Sequence, residues 1–230
     1  MKNIKKIIVF IIALALFFTQ VPFYAKASSN EEEYKRSLEN IINVIEENLD
    51  ISSEGFKITE KDNILSNLDQ YDIQMLNNLS REQGINVPIT KETLIQDLEI
   101  QFDNLNEDIE DGKLIVLDNG TMIDSTDKNF YIQGGSTYDE SHWWGNRRYM
   151  STAAAREYVY TLRDAAGVTT GLALASVIFG AAGAIPASVN GVTALWCNQL
   201  ANRVEYHNGN TNRGVRIDLY WVLVFDVEPQ

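Results

Sequence analysis

Residues 165–202 read AAGVTTGLALASVIFGAAGAIPASVNGVTALWCNQLAN, and no charged residue interrupts the run between Asp164 and Arg203. The stretch is too long for one ordinary core element and too rich in Gly and Ala for a standard membrane anchor. It must be buried in a compact domain, inserted in a membrane, or able to do both. Its first arm, 167–185, predicts a helix of about 19 residues, roughly 28 Å long and close to the thickness of a bilayer core. Leu172, Leu174, Ile178 and Phe179, with Val168, Val177 and Ile185, are its large apolar residues. At ~−0.3 to −0.6 kcal/mol each they favour insertion by about −3 kcal/mol, which the Gly, Thr and Ser residues offset. Insertion is therefore near neutral. The resting state predicted is a buried helical hairpin, with Leu172, Leu174, Ile178, Phe179, Pro186 and Trp196 entering lipid only under a trigger. Pro186 breaks the chain, and 187–206 predicts the second arm, ended by Asn208-Gly209. Gly183, Ala187 and Gly191 repeat every fourth residue and let the backbones approach closely.

The flanks of this hairpin complete a small unit. Ser151 predicts an N-cap for a helix over 152–166, which Gly167 ends. Downstream, Val215, Ile217, Leu219, Trp221, Leu223, Phe225 and Val227 alternate without a break. That predicts one strand whose apolar face packs on the hairpin and which pairs with an aromatic strand near Phe130 to Tyr138. The C-terminal unit, 136–230, is thus α+β: about three helices packed on a small antiparallel sheet.

Upstream the grammar changes. Tyr34, Leu38, Ile41, Ile42, Ile45 and Leu49 recur at helical spacing. Thr59 with Asp62 resembles a second helix start, followed by Ile64, Leu65, Leu68, Tyr71, Met75 and Leu79. Thr90 opens a third helix bearing Leu94, Ile95, Leu98, Phe102 and Leu105. A β-hairpin over 113–124 follows, with Asn119-Gly120 predicting a type I′ turn.

Charge divides the chain at the same place. Residues 28–135 hold 24 Asp and Glu against 8 Lys and Arg, a net of −16. Residues 136–230 hold 8 against 7, a net of −1, with every basic residue an Arg. All four Trp are in this second part. Gly134, Gly135 and Ser136 mark the boundary and a candidate maturation site. The chain starts like an exported protein. Lys2, Lys5 and Lys6 precede an apolar run over 7–18, and Ala25-Lys26-Ala27 fits a cleavage site, giving a signal peptide over 1–27. A chain this acidic is a poor partner for nucleic acid.

Catalytic signatures are lacking. The sequence has no HExxH, CxxC, P-loop or GxSxG motif, and no metal-ligand spacing. Cys197 and His207, ten residues apart on one predicted helix, would point about 80° away from each other. The single cysteine excludes an internal disulfide and reads as a buried thiol. No catalytic residue, metal or cofactor is expected. The segment that stands out is Trp143-Trp144-Gly145-Asn146-Arg147-Arg148-Tyr149. Trp143, Trp144 and Tyr149 suit the headgroup level of a membrane, and Arg147 and Arg148 suit phosphate. The same residues would serve equally as core volume, with the Arg pair meeting Asp139 and Glu140.

The Trp-Trp-Gly-x-Arg-Arg-Tyr segment, the Ala/Gly hairpin and the terminal Arg213 to Trp221 run together resemble secreted bacteriocin precursors of Gram-positive bacteria, the larger non-lantibiotic enterocin and streptococcin type. The resemblance is one of pattern over the C-terminal unit. It implies a signal peptide, an acidic proregion and an active part freed by a processing protease to act on the membrane or another envelope component of competing bacteria. The unit departs from most membrane-active peptides in not being cationic. The second reading is a secreted, non-enzymatic binding protein folded as one body from residue 28 to 230.

Overall fold

The computed structural model describes residues 30–125, 137–168, 178, 192–211 and 213–230. Helix α1 runs over 30–46 and buries Tyr34, Leu38, Ile41 and Ile45 along one stripe. A hairpin absent from the sequence reading follows: β1 (Leu49–Ser52) pairs antiparallel with β2 (Gly55–Ile58). The single helix expected from Thr59 to Leu79 is two, α2 (Lys61–Asn67) and α3 (Gln70–Glu82). Asp69 causes the break, because its carboxylate accepts the Tyr71 N–H at 2.7 Å and starts a new helix. Thr59 does not cap α2; its hydroxyl donates instead to the Asn48 carbonyl at 2.9 Å. Thr90 does open α4 (Lys91–Glu110), in a capping box with Thr93.

The fold is α+β, with a two-stranded sheet and a six-stranded antiparallel sheet ordered β3-β4-β5-β6-β7-β8. Strands β3 (Leu114–Val116) and β4 (Met122–Asp124) form the expected hairpin. Its turn is not type I′. Gly120 has φ 77° but Asn119 does not enter the positive region, and the Gly120 N–H closes the turn on the Leu117 carbonyl at 2.8 Å. Strands β5 (Tyr138–His142) and β6 (Gly145–Met150) come next, joined by Trp143-Trp144.

The long alternating run is a hairpin, not one strand. It comprises β7 (Val215–Tyr220) and β8 (Phe225–Pro229), with Leu223 at φ 61° in the turn. The partner of β7 is β6, from Gly145↔Tyr220 to Met150↔Val215, while Tyr138 sits in β5. Phe130 lies outside the described residues. Helices α5 (Thr152–Val168) and α6 (Ala194–Thr211) cover one face of β6–β8. Ser151 caps α5 by accepting the Ala154 N–H at 3.3 Å, and the helix passes through Gly167. The helix of the second arm starts at Ala194, where the Thr193 hydroxyl accepts the Trp196 N–H at 3.1 Å; residues 187–191 of the expected arm lie outside the described residues. It continues past Asn208, whose amide donates to the Thr152 carbonyl at 3.0 Å.

Two cores result. One lies between α5, α6 and the sheet, and among the described residues Ile85 is its only buried member from before residue 136. The other gathers α1–α4 and takes four buried residues from the C-terminal unit: Trp143, Trp221, Val222 and Val224. All four sit in the two hairpin turns. The unit at 136–230 therefore holds a core of its own and lends its turns to the acidic half.

Candidate functional site

The site grows out of strand register. Because Gly145 pairs with Tyr220, the β5–β6 turn and the β7–β8 turn lie side by side. The Trp221 N–H donates to the Trp144 carbonyl at 3.0 Å and ties them together. Close approach here requires glycine: at Gly145, φ 142°, a Cβ would stand 1.9 Å from the Leu219 carbonyl oxygen. The rings of Trp143 and Trp221 are 5.9 Å apart, and those of Trp144 and Tyr220 5.1 Å. The result is an apolar, aromatic tip at one end of the sheet. In this structure the acidic half covers it. Phe102 meets Trp143 edge-on at 6.4 Å, and the Gln101 amide donates to the Trp143 carbonyl at 2.9 Å. Trp143 is 3% exposed and Trp221 1%.

Behind the tip the sheet face away from α5 and α6 carries an ionic and aromatic ladder. Arg147 grips Asp218 bidentately at 2.8 and 2.9 Å. Arg216 reaches Asp218 at 3.6 Å and Glu228 at 2.8 Å, and Lys35 of α1 also pairs with Glu228. Arg147 lies over the Trp144 ring at 5.4 Å, and His142 stacks on that ring at 4.8 Å. Burial pulls the His142 imidazole down to about 4, with the nearby Arg147 charge adding to it. Burial also raises the Glu140 and Asp226 carboxyls. Tyr138 and Tyr149 stack at 4.4 Å, and burial pushes the Tyr138 phenol up to about 12. A cleft of roughly 510 Å³ runs between this edge and the acidic half, lined by Tyr34, Lys35, Gln83, Arg203 and Asp226 among others.

The sequence-predicted residues separate by location. Trp143 and Trp144 are at the tip; Arg147 and Tyr149 are on the ladder face. Arg148 is on the other side, 8% exposed, clamped on Asp139 at 2.9 and 2.7 Å and lying over Tyr158 at 5.3 Å. Arg148 thus meets Asp139 as foreseen; Arg147 stands opposite Glu140 in register and feels its charge, while its hydrogen bonds go to Asp218 on the other neighbouring strand. Ile178 and Trp196 are fully buried in the C-terminal core. Trp196 donates from Nε1 to the Leu223 carbonyl at 2.6 Å, pinning α6 to the β7–β8 turn. Leu172, Leu174, Phe179 and Pro186, the cleavage residues Ala25 and Ala27, and Gly134, Gly135 and Ser136 lie outside the described residues. Tyr220, Trp221, Val222 and Val224 are site residues that the sequence reading placed in a strand. Tyr220 does end β7, but the turn that follows it is what brings Trp221, Val222 and Val224 to the tip.

Cys197 is fully buried, and burial raises its thiol to about 11. Among the described residues no cluster of three or more His, Cys, Asp or Glu side chains is placed to hold a metal ion. Among them, too, no helix is long and apolar enough to cross a membrane. Neither protein-family models, nor curated proteins, nor solved structures yield a match to this chain.

Proposed function

We propose that this chain is a secreted bacteriocin or toxin precursor. In this reading the acidic half, 28–135, holds the unit at 136–230 latent. A protease cutting near Gly134, Gly135 and Ser136 frees that unit to act, without enzymatic chemistry, on the membrane or another envelope component of competing bacteria. One observation carries the proposal. The C-terminal unit has its own core, yet its most aromatic surface is sealed inside the core of the acidic half. That is the arrangement a removable cover requires.

The test places a specific protease site between Gly134 and Gly135 of the full chain. Growth inhibition of a panel of Gram-positive strains is then scored before and after cleavage. Inhibition that rises at least tenfold on cleavage supports the proposal. Equal, absent activity in both forms rejects it.

A second reading, a non-enzymatic secreted binding protein folded as one unit, draws on a different observation. Strand β4 of the acidic half pairs with β5 at Met122↔Ser141, so one sheet spans both halves.

A further inference from the structure

We propose that the released unit docks on lipid through the paired hairpin tips, Trp143-Trp144 and Trp221 to Val224, and not through the charge-free run 165–202. This rests on the precursor reading above and names its partner, a bilayer surface. The tips combine three properties. They carry no charged side chain. They set Trp143 against Trp221 and Trp144 against Tyr220 in two ring pairs, beside Val222 and Val224. And they stand on a sheet whose core against α5 and α6 does not depend on the acidic half beyond Ile85. Removing the cover uncovers the Trp143 and Trp221 rings and the two valines where Phe102 and the rest of that core now pack, and amphipathic rings settle at the headgroup level of a bilayer.

The charge-free run, read from sequence as a helical hairpin, offers less. Trp196 and Ile178 are committed to the core, and the insertion balance of 167–185 is near neutral. The basic residues also offer less than their number suggests. Arg147 is held by Asp218 and Arg148 by Asp139, both bidentately. Docking through an uncharged tip then requires no anionic lipid and resists salt, unlike docking through free guanidinium groups.

The full chain bearing the protease site between Gly134 and Gly135 is mixed with zwitterionic phosphatidylcholine vesicles, before and after cleavage. Flotation separates bound from free polypeptide. Brominated acyl chains quench Trp fluorescence, which reports on the C-terminal unit alone because the acidic half has no Trp. The expected result is flotation and quenching only after cleavage, little changed as salt rises from roughly 0.05 to 0.5 M and screens charges more strongly. Trp144→Ala and Val222→Asp should each weaken partitioning at least tenfold, and the conservative Trp144→Tyr should restore it. Partitioning that survives both disruptive variants overturns the assignment of the tips. So does bacterial killing by the cleaved chain without vesicle binding, which points to a protein receptor. Docking without killing overturns the precursor reading and leaves the tip assignment standing.

Discussion

Asp218 shows how much of this molecule is decided at single side chains. It is 3% exposed, faces Arg147 and Arg216, and sits on the sheet face that α5 and α6 leave uncovered. Replacing it with Ala leaves two guanidinium groups without their shared anion, a change that costs about 3 kcal/mol when a buried pair loses one partner. Urea unfolding of Asp218→Ala measures it, and a loss below 1 kcal/mol would show the ladder to be solvated in practice. His142 gives a pH dependence of definite sign. Its folded pKa of about 4 lies below the usual 6.5, so the folded state binds fewer protons than the unfolded chain between those values. Its contribution is whole above pH 6.5 and is lost as pH falls through 4, by about 2–3 kcal/mol in total. The raised Glu140 and Asp226 carboxyls act in the opposite sense, since their folded forms hold protons more readily. His142→Phe keeps a ring on Trp144 and removes the charge. Between pH 7 and 4.5 it should lose about 2 kcal/mol less stability than the parent chain by denaturant titration. Equal losses would refute a buried neutral imidazole.

At the scale of elements, side-chain amides do work that strands and turns usually do. Gln83 accepts the Phe225 N–H at 2.9 Å and donates to the Phe225 carbonyl at 2.7 Å. Asn106 pairs both backbone groups of Phe56, and Asn77 both of Ile89, in the same way. Gln83→Ala strips two buried backbone groups of their partners and should destabilise by about 2–4 kcal/mol, read as a shift in urea midpoint at unchanged slope. These clamps mark the limit of what the sequence made legible. The third helix was readable because Thr90 and the stripe from Leu94 to Leu105 are local signals, and the hairpin at Asn119-Gly120 for the same reason. The break at Asp69 was masked by helical spacing that continues through it. The β7–β8 turn was hidden more deeply. Trp221 to Val224 contain no Gly, Pro or Asn, and Leu223 takes φ 61° without any local cue. Their alternation continues that of the strand, but Trp221, Val222 and Val224 are buried in a different core. The tip was therefore half visible: Trp143 and Trp144 drew notice as residue types, while the partners completing it come from a distant turn. An amide that reaches across from residue 83 to 225 has no sequence signature.

The whole molecule sets an uneven charge against a shared architecture. The half that covers the tip carries −16 and the half it covers −1. Burying two Trp and two Val at the junction is worth on the order of 10 kcal/mol, which holds the halves together while the chain is intact; once it is cut, the roughly 4–15 kcal/mol cost of bringing two separate bodies together offsets it. Limited proteolysis of the full chain should therefore give two fragments that meet near residue 135 and elute separately on gel filtration without denaturant. Co-elution of the two fragments would show that cleavage alone does not uncover the tip. Cleavage spread through the acidic half instead would mark it as dependent on the intact chain. The two places where the halves meet the sheet have a further consequence. Met122↔Ser141 closes one border of the β5–β8 sheet and Gln83 closes the other. A departing acidic half uncovers both borders in the same event, leaving four strands with raw hydrogen-bonding groups on each side. The freed unit would then be adhesive along its flanks as well as at its tip. Under the precursor reading proposed above, such a unit must stay covered until it has left the cell that makes it.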